Sequence, residues 1–464
     1  MSVSWRWSAI CLAAALAGCS TPPPTPAALP QSLSAAPARD DEAPPRPQPL
    51  QLDEAAERLV ALALQRSPEL AKVEARLREA QAQAGVASAR LWPGVELGAS
   101  AGQGLGTPTD PAADAKGPRV RRTSTSASLS WELDLFGRNR QASRAAVLES
   151  DAAAADLAAA RVTLANTVRA ELVRYRAALR ERALTDALLE TLRASHAMES
   201  RRVQAGLVDA TELSRLGAEL RAREAGLAQQ RAEQDSLPLR LRSLSDVPLD
   251  EIRAAAQAAE QPCSLDAPRS VPLQWLTGRR DVAAAQARLE SAVAGARSAR
   301  AALLPSFSLS ASDERQRDRS RDLPALLMRS TQQFLGLQMA WSVLDGGQRR
   351  AEARAAEARS EAVAADYRLT VLRAAEETEA ALQRHAALDQ ALRQQQEAAL
   401  SAEQSWRRAR IRVDAGLESR LAASPLEREY RERALSTHTT RRDQCLAAID
   451  LNRALALSEA AVRP

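Results

Sequence analysis

Aromatic residues are scarce: Phe, Trp and Tyr together make up 3% of a 464-residue chain. That excludes a core built on large rings. It also excludes the interleaving of aromatics with cations on which single-stranded nucleic acid stacks. After the N-terminal segment, no apolar run reaches the roughly 18 residues that span a bilayer as a helix. Crossing a membrane would therefore require a closed barrel, the other fold that satisfies every backbone polar group in lipid. Histidine occurs 3 times, at His196, His385 and His438, without metal-ligand spacing. Gly102-Gln103-Gly104-Leu105-Gly106 lacks the Lys-Ser/Thr of a phosphate loop and reads as a hairpin tip. Glu376, Glu377 and Glu379 read as a solvated helix face, and no nucleophile elbow is present. No enzymatic activity is expected, and no metal or diffusible cofactor. The net charge of +5 comes from arginines that alternate with Glu and Asp at helical spacing, so nucleic acid is not an expected partner.

What is abundant is Ala, Leu, Arg and Glu, the composition of long packed helices. The chain is organised around the stretch from Thr123 to Leu213. From Ala127 to Leu135 odd positions are apolar and even ones polar, the period of a strand with one greasy and one wet face. Phe136-Gly137-Arg138 then leads into some 65 proline-free residues of helix, about 100 Å long at about 1.5 Å per residue. Ala158, Ala165, Leu172 and Leu179 repeat at heptad spacing along it, with Val168 and Tyr175 beside them, as in a helix-packing seam. Gly206, after Val203-Gln204-Ala205, suits the left-handed residue that ends a helix. Asp209-Ala210-Thr211-Glu212 reads as the capping box of a return helix to about Leu244.

The N-terminus carries Arg6, a short apolar run from Ala9 to Leu16, and Leu16-Ala17-Gly18-Cys19. This is an export signal over 1–18, and its end resembles the lipobox of bacterial lipoproteins. That resemblance makes Cys19 the lipid-attachment residue, its covalent acyl lipid taking the place of any cofactor, and Ser20 an outer-membrane address. Residues 19–49, rich in Pro, Ala and Ser, form a tether without a core. Of 4 cysteines, Cys11 leaves with the signal and Cys19 takes lipid. Cys263 and Cys445 remain, either as a disulfide or as two separate thiols.

The chain then repeats. Leu91-Trp92-Pro93 corresponds to Leu303-Leu304-Pro305, and Trp131 to Gly137 corresponds to Trp341 to Gly347. Repeat one covers 50–248, with strands at about 93–103 and 123–135, an exposed loop at 102–122 and a tip at 204–210. An irregular linker follows at 249–278. Repeat two covers 279–464, with strands at about 305–313 and 333–344, a charged loop at 313–330 and a tip at 413–424. Ser424-Pro425-Leu426-Glu427 reads as a helix start, so the second return helix is expected to restart near 425.

With the lipobox, the twofold helix–strand–strand–helix pattern, Trp131-Glu132-Leu133-Asp134-Leu135-Phe136-Gly137-Arg138 and Leu344-Asp345-Gly346-Gly347, the chain resembles the TolC/OprM-type outer-membrane factors, in their lipoprotein branch. The fold class implied is mainly α with a transmembrane β part: a homotrimer with a twelve-stranded β-barrel on a long periplasmic α-barrel. The resemblance implies a channel through which a tripartite system exports small molecules. Its expected partners are a periplasmic adaptor, an inner-membrane pump of the RND class and outer-membrane lipid. Adaptor docking falls on Ala205, Gly206 and Leu207 and on Ala415, Gly416 and Leu417, although the valine of the family tip motif is missing from both. A periplasmic gate falls on Glu418, with Asp414 and Arg420 as partners; the alternative is solvated tip charges without a gating role. The rival functions are a non-conducting lipid-anchored scaffold and an exit duct for metal efflux or type I protein secretion.

Overall fold

The computed structural model describes residues 47–105, 119–258, 263, 265–268, 271–320 and 327–457. The signal segment, Cys19 and most of the tether lie outside them. The described chain forms two compact units. The first takes in the described parts of Arg78–Ala152 and Ala285–Arg368; the second takes in those of Pro30–Leu77, Ala153–Ala284 and Leu369–Pro464.

The elements run in chain order as α1 (Glu54–Arg66), α2 (Pro68–Ala89), β1 (Gly94–Leu105), β2 (Arg119–Glu132), α3 (Arg138–Gln204) and α4 (Thr211–Ser245). Two short helices, α5 (Leu249–Gln257) and α6 (Leu273–Thr277), stand where the sequence reads as irregular linker. Repeat two follows as α7 (Arg280–Ala301), β3 (Ser306–Ser320), β4 (Leu327–Ala340), α8 (Gln348–Asp414) and α9 (Arg420–Ala454). Both long helices contain 67 residues, as a duplication requires. Among the described residues no helix is long and apolar enough to cross a membrane.

In the first unit the four strands form one antiparallel sheet in the order β1-β2-β3-β4. All four strands run further from the helices than their patterns indicate, while β2 and β4 stop at Glu132 and Ala340, short of the expected 135 and 344. β1 reaches Leu105 and β2 begins at Arg119, both inside the expected exposed loop at 102–122. β3 continues to Ser320 and β4 begins at Leu327, so most of the expected charged loop at 313–330 is paired backbone. The two repeats meet in the sheet centre, where Leu129 lies opposite Ala311 and Trp131 opposite Leu309. Hydroxyl bonds join the helices of this unit closely: Ser88 to Ser143 at 2.9 Å, and Ser291 to the Ala145 carbonyl at 2.9 Å. Only small side chains permit such an approach.

The second unit holds the main core. α1 is capped by Asp53, whose carboxylate accepts from the Ala56 N–H at 3.2 Å. The helix buries Leu59, Val60 and Ala63 against Leu164, Val168 and Leu172 of α3 and Ile449 and Leu451 of α9. The expected heptad seam is thus part of this core, although its fully buried residues are Val168 and Leu172 rather than the alanines. Arginines close its edges. Arg176 pairs with Asp53 and also donates to the Ala255 carbonyl at 2.7 Å. Arg169 grips Glu57 through two bonds of 2.6 and 2.9 Å.

Candidate functional site

The alternation seen in the sequence places Val95, Leu97, Leu129, Trp131, Leu309, Leu335, Leu337 and Met339 on one face of the sheet. Leu97 is 82% exposed and Leu335 76%, so among the described residues nothing covers that face at these positions. The opposite face carries Ser126, Ser128, Ser130, Ser308, Ser310 and Ser312. At the helix end of the sheet the two repeats use the same device. Trp131 Nε1 donates to the Leu91 carbonyl at 3.0 Å, and Trp341 Nε1 to the Leu303 carbonyl at 3.2 Å.

Each strand then turns into a long helix through an aspartate. Asp134 accepts from the N–H groups of Asn139 and Arg140, both at 2.9 Å. Asp345 accepts from Gly347 at 2.9 Å and Arg349 at 3.2 Å. These N–H groups would otherwise lack partners at a helix start. The Arg349 N–H bond, helped by that from Gly347, holds the Asp345 carboxyl below the usual range against desolvation. The two aspartates are displaced by one position when the repeats are aligned on their tryptophans; the second repeat regains the turn with Gly346 and Gly347, both at positive φ.

The far ends of α3 and α8 are near copies. Gly206 has φ +68°, with Leu207 N–H donating to Arg202 O and Gly206 N–H to Val203 O, both at 2.9 Å. Gly416 has φ +71°, with Leu417 N–H donating to Arg412 O at 2.8 Å and Gly416 N–H to Val413 O at 3.0 Å. Each is a Schellman stop, which needs a glycine at this position because a side chain is strained at that φ. Leu207 and Leu417 project from the turns, 70% and 79% exposed. Ala205 and Ala415 are exposed beside them.

The return helices differ from expectation. Asp209 caps from one residue further out, accepting from Thr211 N–H at 2.7 Å, while Glu212 pairs with Arg215 instead of closing a box. α9 does not restart near 425. Ser419 caps it, accepting from Ala422 N–H at 3.1 Å, and Pro425 sits inside the helix. So near the helix start, proline removes a single i→i−4 bond, and the cap outweighs it.

The charges expected to work together do not meet. Glu418 accepts from Arg412 at 2.9 Å, Asp414 faces Arg410 at 3.9 Å, and Arg420 is exposed without pairing to either acid. Arg412 was not legible as a partner because the tip turn, not helical spacing, brings it to Glu418. Behind the tips lies a cavity of about 590 Å³ lined by α3, α4 and α9, including Glu199, Arg202, Glu212 and Arg428. Its walls are cross-linked: Ser195 to Ser424, Thr191 to Glu427 at 3.3 Å, and Arg428 to Glu219 at 3.4 Å. Away from the tips, Cys263 is joined to Cys445 by a disulfide, with Cα atoms 5.2 Å apart.

A four-stranded sheet with one face apolar toward its helix end, together with duplicated helical hairpins, is the pattern of a protein that places β-structure in lipid. The chain belongs to the outer membrane efflux protein family, which it matches over residues 59–245 and 271–457, one stretch for each repeat. The pyoverdine export outer membrane protein OpmQ of Pseudomonas putida is 27% identical over 86% of this chain and 85% of its own. Outer membrane protein OprJ of Pseudomonas aeruginosa is 29% identical, over 86% of this chain and 83% of its own. The crystal structure of a membrane protein from Pseudomonas aeruginosa superposes with a TM-score of 0.77 at 25% identity, covering 94% of this chain and 99% of that one. The protein is an outer-membrane efflux channel, and the sheet is its membrane part.

Proposed function

We propose that the chain works as a homotrimer, a passive exit duct gated at its periplasmic mouth, joined through an adaptor to an inner-membrane pump of the RND class. The observation that carries this is the open sheet. Edge strands β1 and β4 leave backbone groups unpaired that lipid cannot satisfy. Three copies of four strands close such a sheet without edges. The exposed Leu207 and Leu417, beside Ala205, Gly206, Ala415 and Gly416, are docking points for adaptor hairpins. Asp414, Glu418 and Arg420, with Arg412 added, form the gate. Removal of the signal over 1–18 leaves Cys19 acylated at the head of the 19–49 tether, with repeats at 50–248 and 279–464 on either side of the linker. Cargo is a small molecule selected by the pump; the relative named for pyoverdine export is one instance of such traffic.

Planar-bilayer recording of the purified protein tests this. Wild type is expected to insert at a low conductance that rises several-fold in Asp414→Ala/Glu418→Ala. Protein that inserts yet never conducts, even with both charges removed, would favour the scaffold instead.

A further inference from the structure

The lipid-facing side of the sheet changes character along its length. At the helix end its cross-strand rows read Trp131, Leu309, Leu337 and then Val95, Leu129, Ala311, Leu335. Further out comes Leu97, Ala127, Asp313, Gln333, and then Ala99, Thr125, Arg315, Thr331. Beyond them come Ala101, Thr123, Arg317, Arg329 and then Gln103, Arg121, Arg319. Five arginines thus share the outward face at the far end, and all are exposed. Asp313 shares that face and pairs with Arg315 at 3.2 Å. Among the described residues no carboxylate pairs with Arg121, Arg317, Arg319 or Arg329. The other acids of β3, Glu314 and Asp318, point to the opposite face, where Asp318 binds Arg122 at 3.1 Å.

This sorting is unfavourable in isolation. Arg121 lies directly opposite Arg319, and Arg317 directly opposite Arg329. Side chains so placed are about 5 Å apart at Cβ, and like charges there repel. An anion between them reverses the sign, above all one whose oxygens accept two guanidinium bonds at once. Position indicates which anion. On the membrane-barrel reading, Trp131 and Trp341, at the helix end of the sheet, take the inner interface, as barrel aromatics do. Arg121 is ten residues further along β2. That is about 33 Å of strand, or roughly 25 Å along the normal at a tilt of about 40°, the height of a barrel's lipid-facing band. Within that band, before the Arg317 row, the only charges on this face among the described residues are Asp313 and Arg315, which pair with each other. The arginines therefore stand where an outer aromatic girdle would be, level with the headgroups of the outer leaflet.

We propose that Arg121, Arg317, Arg319 and Arg329 form a binding surface for the phosphates of lipid A in the outer leaflet. It anchors the barrel from outside as acylation anchors it from within. This rests on the membrane-barrel reading of the sheet, and the test separates the two.

Full-length protein is placed in phosphatidylcholine nanodiscs containing a few per cent of bisphosphorylated lipid A, dephosphorylated lipid A or phosphatidylglycerol. Lipid retained per protein is then counted by native mass spectrometry. Wild type is expected to retain the bisphosphorylated form in preference to both others. Arg317→Gln/Arg319→Gln/Arg329→Gln is expected to lose that retention by roughly 100-fold, from about a factor of five per surface arginine. Arg122→Gln, on the opposite face, should leave it unchanged, and all three proteins should insert equally into pure phosphatidylcholine vesicles. Equal retention of dephosphorylated lipid A or phosphatidylglycerol, no loss in the triple variant, or an equal loss in Arg122→Gln overturns the proposal while leaving the barrel intact. Failure of wild type to insert into phosphatidylcholine overturns the barrel reading and this proposal with it.

Discussion

Asp53 and Arg176 sit at the edge of the second unit's core with side chains 9% and 4% exposed. Burial pushes the Asp53 carboxyl up, but the Arg176 hydrogen bonds and charge outweigh it, and the group ends below its ordinary value of 3.8. Asp281 behaves alike: burial raises it, and Arg279 more than offsets that. A carboxyl lowered by folding stabilises the fold above its unfolded value and loses that contribution as pH falls through the folded one. The melting temperature of wild type should accordingly decline below about pH 4. In Asp53→Asn that decline should be shallower, while stability at neutral pH drops by about 3–5 kcal/mol because a buried Arg176 is left unpaired. Parallel melting curves for the two proteins from pH 7 to pH 3 would count against this. Glu181 runs the other way, since burial holds its carboxyl up despite Arg442. None of these pairs was legible in the sequence. Asp53 and Arg176 are 123 positions apart, and the arginines of this chain look alike until packing shows which are dry.

Among the elements, legibility followed periodicity. β1, β2 and the inner half of β3 announce themselves by alternation, and the long helices by composition and by glycine stops. The outer half of β3 reads as a loop because Asp313, Glu314, Arg315, Arg317, Asp318 and Arg319 lack an apolar face. Pairing on both sides, from Val120 to Ser320 and from Arg319 to Leu327, carries the strand where pattern does not. α9 misled for the opposite reason: Ser424-Pro425 has the local grammar of a helix start, but Ser419 caps the helix earlier. The disulfide between Cys263 and Cys445 was one of two open alternatives. It ties the linker after α5 to α9 across 182 positions. Closing so long a loop restricts the unfolded chain, so Cys445→Ala should lower stability by about 2–5 kcal/mol in denaturant unfolding without reductant. Dithiothreitol should lower wild type by a similar amount and leave the variant unmoved; equal sensitivity of both would contradict the linkage.

At the scale of the whole chain, the duplication was the clearest signal, and it settles more than the number of strands. The halves are joined through β2 and β3, so the sheet's central seam lies within one subunit and its open edges are the unlike strands β1 and β4. In the proposed ring every junction between subunits then joins β4 of one chain to β1 of the next, a head-to-tail contact. A chain with a sound β1 and a broken β4 edge enters the ring and leaves a gap in it. Such an allele should be dominant. Expressed in equal amount with wild type, it should leave about one ring in eight intact, since all three junctions must be sound. Export by the mixed cells should fall to near that fraction rather than to half, so that inheritance itself counts the subunits in the ring.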